Sequence, residues 1–219
     1  GIPEIVSIEK AKLVQADLTS TADIINSIDL KDYIGANGVP ITGEGTVVAI
    51  VDTGVDYTHQ DLGACSFLEQ GNCKVIGGYD FINDDPDPMD DHGHGTHVAA
   101  TAAGDGFWTD SEGNINPLPG IAPDAKILAF KVLSAAGSGS SLAVVAGIEA
   151  CVDPNGDGDI SDRVTVCSLS LGSDNGNPLD VTSLAVDAAV DAGVIMTIAA
   201  GNAGPGYETV GSPGTSRKA

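Results

Sequence analysis

The sequence predicts an α/β fold in which a parallel β-sheet is flanked by helices on both faces, in three layers. Apolar runs of strand length recur along the chain, and segments of helical character lie between most of them. This alternation is typical of βαβ units, whose helices cover both faces of a parallel sheet. The fold class therefore follows from the order of the elements.

The predicted elements occupy defined stretches of the chain. Buried strands are predicted at residues 46–51, 74–81, 126–133, 163–171 and 194–200. Helices are predicted at residues 95–104, 140–151 and 179–193. The last helix ends at Gly193, and glycine is a common C-terminal cap. We divide the chain into a less regular lead-in, residues 1–44, and one α/β domain, residues 45–219.

Composition and charge narrow the possible partners. The 219 residues include 42% hydrophobic residues and 29 glycines, which suits a globular, turn-rich protein. Nine basic residues against 31 acidic ones give a net charge of −22, which would repel nucleic acid and anionic membranes. We expect neither as a partner. No apolar run reaches membrane-spanning length.

Four cysteines form two local pairs in the sequence. Cys65 and Cys73 bracket one short stretch, and Cys151 and Cys167 bracket another. An even count in local pairs indicates two disulfides and an oxidising compartment, and hence a secreted protein. Spacing alone does not place the sulfurs close together, so four free buried thiols remain the alternative.

Three polar residues are expected to meet at one edge of the sheet. Asp52 directly follows the first strand, Asn202 follows the last one, and His94 stands where a helix begins. Chemistry in open parallel sheets gathers at the carboxyl ends of the strands. An acid, an imidazole and an amide donor are therefore predicted to converge there.

The histidines of "DDHGHGTHVAATAAG" raise the alternative of a metal site. A zinc site of the H-E-x-x-H type needs a glutamate that is missing here, and glycines are unusual between ligands on a helix. We interpret His92 as a solvated loop residue. His97 is predicted to be a buried histidine or a partner of the site.

Three motifs in order, "VVAIVDTGVDYTHQDL", "GHGTHVA" and "AAGN", resemble the aspartate, histidine and oxyanion-asparagine motifs of the subtilisin-like serine proteases. "GIAPDAKILAFKVL" and "SLSLG" are further stretches typical of that family, so the resemblance runs from about residue 45 to the C-terminus. "VDTG" alone also matches aspartic proteases, but that fold is all-β and needs a second such aspartate. An α/β-hydrolase would need a G-x-S-x-G motif, which the chain lacks.

The resemblance implies a role for each residue and a substrate class. Asp52 would orient His94, His94 would act as the general base, and Asn202 would donate a hydrogen bond to the oxyanion. Protein or peptide substrates would lie extended between two backbone segments. The implied segments are Gly137, Ser138 and Gly139 on one side and Ser170, Leu171 and Gly172 on the other. We expect a monomer, with its own prodomain as an inhibitor.

The stretch "DPNGDGDISD" predicts a calcium site. Hard oxygen ligands occur at roughly alternate positions, and Gly158 stands where an EF-hand loop turns sharply. The candidate ligands are Asp153, Asn155, Asp157, Asp159 and Asp162. No glutamate closes the loop at its twelfth position, so the site would be only EF-like, and a solvated acidic turn is the alternative.

The nucleophile motif of the family, G-T-S-M-A followed by proline, is missing. Ser216 lies in "GTSRKA", but Arg217 and Lys218 follow at once, where the nucleophile must begin a buried helix of small residues. We therefore expect a fold that is incomplete at the C-terminus, a nucleophile downstream of residue 219, and no activity of this chain alone. "GIPEIVSIEK" resembles the end of a prodomain. A non-catalytic pseudoenzyme or calcium-binding module with the same fold is the alternative function.

Overall fold

The computed structural model describes residues 22, 24–30, 32–36, 38–66, 68 and 73–219. The strands are β1 (Val47–Asp52), β2 (Val75–Asp80), β3 (Asp105–Thr109), β4 (Ile115–Pro119), β5 (Lys126–Lys131), β6 (Val166–Leu169) and β7 (Ile195–Ile198). The helices are α1 (Ser27–Leu30), α2 (His94–Ala103), α3 (Ser141–Val152) and α4 (Val181–Asp191), and short 3-10 helices span Gln60–Leu62 and Ile160–Asp162.

The main sheet has five parallel strands in the order β2-β5-β1-β6-β7. The central strand β1 is flanked by β5 and β6, and Asp52 at its end is in register with Lys131 of β5. Because all five strands point the same way, their carboxyl ends form one edge. The predicted parallel sheet is confirmed.

Alternate residues of β1 pack into two separate cores, which explains the three layers. Ala49 and Val51 belong to a core that includes Ile148 of α3 and Val186 of α4. Val48 and Ile50 belong to a second core, on the other face, that includes Ala99 and Ala103 of α2. Successive side chains of a strand point to opposite faces, so an apolar run such as "VVAIV" fits a sheet covered on both sides.

The observed elements differ from the predicted ones at their ends. β6 is only four residues long, because Arg163 caps the preceding 3-10 helix and Ser170 and Leu171 leave the sheet. The antiparallel hairpin of β3 and β4 was not predicted. Pro117 and Pro119 argue against a strand in the sequence, but a two-stranded hairpin outside the main sheet tolerates their missing N–H groups.

Both predicted disulfides are present. Cys65 bonds to Cys73 and Cys151 bonds to Cys167, with Cα–Cα distances of 5.9 and 6.1 Å. The second disulfide joins the end of α3 to β6 and closes the loop that contains residues 153–162. The alternative of four free thiols is therefore wrong.

The described residues do not test two further predictions. The suggested prodomain remnant falls on residues 1–10, which lie outside the described residues. The division at residue 45 stays a prediction. Within the described part of the chain, no helix has the length and apolar character needed to cross a membrane.

Candidate active site

Asp52 and His94 form a hydrogen-bonded pair at the carboxyl edge of the sheet. The Asp52 side chain is fully buried, and its Oδ1 lies 2.7 Å from Nδ1 of His94. The backbone N–H of Thr53 donates to the same oxygen at 2.7 Å. An ionised carboxylate can only accept, so Nδ1 carries the proton and Nε2 is left as the basic nitrogen.

The helix that carries His94 begins in an unusual backbone conformation. Gly93, its N-cap residue, has a φ of 99°, a left-handed conformation that glycine adopts without strain. A Cβ on Gly95 would lie 2.1 Å from the carbonyl oxygen of Gly54. Glycine at these two positions therefore lets α2 start directly against the end of β1.

Asp90 organises the turn before His94. Its Oδ1 accepts hydrogen bonds from the backbone N–H groups of His92 and Gly93, both at 2.9 Å, and its Oδ2 accepts from the backbone N–H of Thr96 at 3.0 Å. Burial raises the pKa of this carboxyl, but hydrogen bonds from Thr96, Gly93 and His92 outweigh that effect and hold the pKa below its usual value.

A cleft of about 830 Å³ opens at this edge of the sheet and contains His94 in its lining. The side chain of His94 is 45% exposed, so its ring is accessible from the cleft. The other lining residues include every residue predicted to bind substrate or the oxyanion: Gly137, Ser138, Gly139, Ser170, Leu171, Gly172 and Asn202. The structure thus brings together residues that lie far apart in the sequence.

The two backbone segments of the cleft are held by tertiary contacts. A Cβ on Gly139 would lie 2.0 Å from the carbonyl oxygen of Val132, so only glycine fits there. On the other side, the backbone N–H of Ser173 donates to the carbonyl oxygen of Ser212 at 2.8 Å. This bond fixes the chain that leaves β6 through Gly172.

Comparison with known proteins decides which family this architecture represents. The model of the subtilase family matches residues 43–219. The chain belongs to the subtilase family.

Relatives of this subtilase include bacterial proteases. The minor extracellular protease Vpr of Bacillus subtilis (strain 168) is 37% identical over 244 residues, which cover 100% of this chain and 27% of Vpr. Thermitase of Thermoactinomyces vulgaris is 40% identical over 162 residues, which cover 74% of this chain and 49% of thermitase. The subtilase chain therefore spans from about a quarter to about half of the length of these relatives.

A solved structure shares the subtilase fold. The crystal structure of a cold adapted subtilisin-like serine proteinase matches with a TM-score of 0.57 and 30% sequence identity. The match covers 74% of this chain and 49% of that one. The predicted subtilisin-like α/β fold is therefore confirmed.

In the predicted calcium loop of this subtilase, the carboxylate of Asp153 bonds to the backbone of the same loop. Asp153 accepts hydrogen bonds from the N–H groups of Gly156 and Gly158, both at 2.8 Å. Across the described residues, no group of three or more His, Cys, Asp or Glu side chains is arranged to hold a metal ion. As arranged, the five predicted ligands do not fit a calcium cage, and calcium binding by this loop stays a prediction from the sequence.

Ser216 lies outside the lining of the cleft and bonds to α4. Its Oγ donates to Oδ1 of Asp187 in α4 at 2.6 Å, and it is not among the residues that line the cleft. The hydrogen bond from Ser216 lowers the pKa of Asp187. The C-terminal turn is thus attached to α4, and a nucleophile other than Ser216 stays a prediction.

The two other histidines of the motif have different surroundings. His92 is exposed, as predicted, but it also lines the cleft. The prediction for His97 as a buried residue is wrong, because its side chain is exposed. The buried face of α2 consists of Gly95, Ala99 and Ala103, and a residue two positions after Gly95 lies on the opposite face.

Sequence reasoning missed the charged residues that support the site. Lys131 is 1% exposed, and it bonds to Asp91 in the turn before His94. A lysine near the end of the apolar stretch "KILAFKVL" was the available signal, because buried lysines are rare unless they are paired.

Proposed function

We propose that this chain carries the acid, the general base, the oxyanion donor and the substrate cleft of a secreted serine endopeptidase. The observation that carries the proposal is the 2.7 Å hydrogen bond between Asp52 and His94 beside a cleft that also contains Asn202. The two disulfides support secretion, and so does the similarity to Vpr, an extracellular protease.

The chemistry assigns one step to each group. His94 Nε2 takes the proton of a serine hydroxyl while that oxygen attacks the scissile carbonyl carbon, and the resulting imidazolium is stabilised by Asp52. The Asn202 side-chain amide donates to the oxyanion of the tetrahedral intermediate, a contribution of about 10²–10³ in rate for such donors. His94 then returns the proton to the leaving amine, and the C–N bond breaks.

Substrate binding rests on backbone rather than on side chains. An extended peptide between residues 137–139 and 170–172 would form β-ladder hydrogen bonds with both segments. Glycine at the ends of these segments leaves room for the peptide backbone. Protein or peptide substrates follow from this arrangement. A prodomain segment bound in the same cleft would act as an inhibitor, and a monomer suffices because the cleft is built within one chain.

The nucleophilic serine is proposed to lie in sequence beyond residue 219. Three observations support this placement. No serine of the described chain makes a hydrogen bond to His94, and Ser216 is bonded to Asp187 instead. β7 is an edge strand whose Ile195 is 58% exposed, as expected where a further strand packs. The relatives are at least about twice as long as the part matched here.

Covalent labelling tests this proposal. We expect a longer form that includes the downstream sequence to react with a fluorophosphonate probe and to cleave casein. The 219-residue chain should not react, because a triad without its nucleophile keeps only residual activity. In the longer form, Ser216→Ala should stay fully active and His94→Ala should lose labelling. Labelling of the 219-residue chain at Ser216 would overturn the proposal.

A further inference from the structure

Lys131 is a buried cation beside the candidate active site. It ends β5, and its Nζ donates to the carbonyl oxygens of Thr53 and Leu133 at 2.7 and 3.0 Å and to Oδ1 of Asp91 at 2.6 Å. These acceptors use all three protons of the ammonium group. A buried ammonium is strongly unfavourable unless its partners are well placed, so the position of Lys131 depends on all three groups.

The partners of Lys131 belong to the two segments that carry the Asp–His pair. Thr53 directly follows Asp52, and Asp91 lies in the turn that leads to His94. One ammonium group therefore ties the end of β1 to the turn before α2. Among the ion pairs of the described residues, only this one connects the sheet to that turn, and the Asp52–His94 pair connects the sheet to the first residue of α2.

The turn is held on both sides of His94. The Thr53 hydroxyl accepts from the backbone N–H of Gly95 at 2.9 Å, just after the histidine. Lys131 holds Asp91, just before it. His94 thus stands between anchors that start at the carboxyl edge of the sheet. The Thr53 hydroxyl also donates to Oδ1 of Asp90 at 2.9 Å, and the contact at Asp91 is the one that joins two opposite charges.

Lys131 takes no direct part in the chemistry. It is not among the residues that line the cleft, and a protonated ammonium has no lone pair with which to accept a proton. We infer that Lys131 and Asp91 form a positioning pair that keeps the His94 imidazole within hydrogen-bond distance of Asp52. The kinetic consequence of this inference rests on the proposed function, whereas its structural consequence does not.

The first test uses the 219-residue chain and needs no activity. The ring Nδ1–H proton of His94, bonded to Asp52, should give a low-field NMR resonance that exchanges slowly with water. In Asp91→Asn we expect this resonance to move upfield and to exchange faster, because the turn loses its charged anchor. The Asp91 side chain is 48% exposed, so the change leaves no buried cavity, and a melting curve checks that the variant is folded.

Asp84→Asn is the matched control. Asp84 lies in the same acidic run and accepts a hydrogen bond from the Tyr79 hydroxyl at 2.8 Å, with no bond to the turn before His94. Its positive φ of 59° suits asparagine as well as aspartate. The same charge is therefore removed nearby, and the His94 resonance should not change.

The second test uses the longer, active form. Asp91→Asn should lower kcat about tenfold with little change in KM, since a misplaced base weakens the transition state and not substrate binding. Asp91→Glu should restore most of kcat, because the half-exposed carboxylate can still reach Lys131.

Opposite outcomes are easily recognised. An Asp91→Asn variant with the wild-type imidazole resonance would overturn the inference, and so would equal effects of Asp91→Asn and Asp84→Asn. If the longer wild-type form cleaves no peptide, the proposed function fails, while the resonance of His94 still decides the role of Lys131 and Asp91.

Discussion

The turn at residues 90–93 and the loop at residues 153–162 are both rich in aspartate and glycine, yet their carboxylates have different partners. In the turn, Asp90 bonds to the hydroxyl of Thr53, which directly follows β1, and Asp91 bonds to the ammonium of Lys131, which ends β5. In the loop, Asp153 bonds to the N–H groups of its own loop, and Asp157, Asp159 and Asp162 are exposed.

The difference shows what turns an acidic stretch into part of a site. In both stretches, carboxylates accept hydrogen bonds from backbone N–H groups, as aspartates in turns commonly do. Only the turn also receives donors from residues at the carboxyl edge of the sheet, 37 and 40 positions away in the sequence. A carboxylate with such distant partners fixes one segment relative to another, whereas a carboxylate with local partners fixes only its own loop.

The largest expected effect comes from Asp52, against which the turn holds His94. In the longer, active form, Asp52→Asn should lower kcat by about 10⁴, because the amide favours the wrong tautomer of the imidazole. Asp153→Asn, the matched change in the acidic loop, should leave kcat unchanged. Peptide hydrolysis by the two purified variants measures the difference, and similar losses in both would break the comparison.

Aspartate substitutions in the two regions should also differ in their effect on the free energy of unfolding. Asp90→Asn replaces Oδ2, which accepts from the backbone and side chain of Thr96, and should lower the free energy of unfolding by about 2–3 kcal/mol. Asp153→Asn affects the single bond from Gly158 to Oδ2 and should cost about 1 kcal/mol. Urea unfolding of the 219-residue chain tests this order. A larger loss of unfolding free energy in Asp153→Asn than in Asp90→Asn would contradict it.

The contribution of Asp90 should depend on pH in a defined direction. Its pKa in the folded state lies below the ordinary value of 3.8, so its stabilisation is fully present above that value and is lost as the pH falls through the folded pKa. The difference in unfolding free energy between wild type and Asp90→Asn should stay constant from neutral pH to about pH 4 and shrink below it. A constant difference down to about pH 2 would contradict this assignment.

The calcium prediction is the one that could remove the contrast between the two regions. The alternating oxygen ligands of the loop predict that EDTA lowers the melting temperature by several degrees, since about 1 kcal/mol shifts Tm by about 2–4 °C in a domain of this size. Binding would require Asp153 to leave its bonds to Gly156 and Gly158. An unchanged melting curve in EDTA, with no calcium by elemental analysis, would leave the loop as a solvated turn.

The sequence by itself determined the features that depend on local pattern. Apolar runs between helical segments predicted the five strands of the parallel sheet, and three ordered motifs predicted Asp52, His94 and Asn202. The local spacing of the cysteines predicted both disulfides. These features are readable because strand and helix periodicity, turn residues and short loops involve neighbours along the chain.

Only the tertiary structure decided which partner each charged or polar side chain has. Lys131 and Asp91 are 40 positions apart, and no local pattern pairs them. The same holds for the bond that attaches Ser216 to Asp187. The contact of Asp52 with His94, 42 positions apart, was expected from the family resemblance, and the structure supplied its 2.7 Å distance. The exposure of His97 also depends on which face of α2 meets the sheet. Such contacts arise when packing brings distant segments together, and their energies depend on burial and distance, which residue order does not contain.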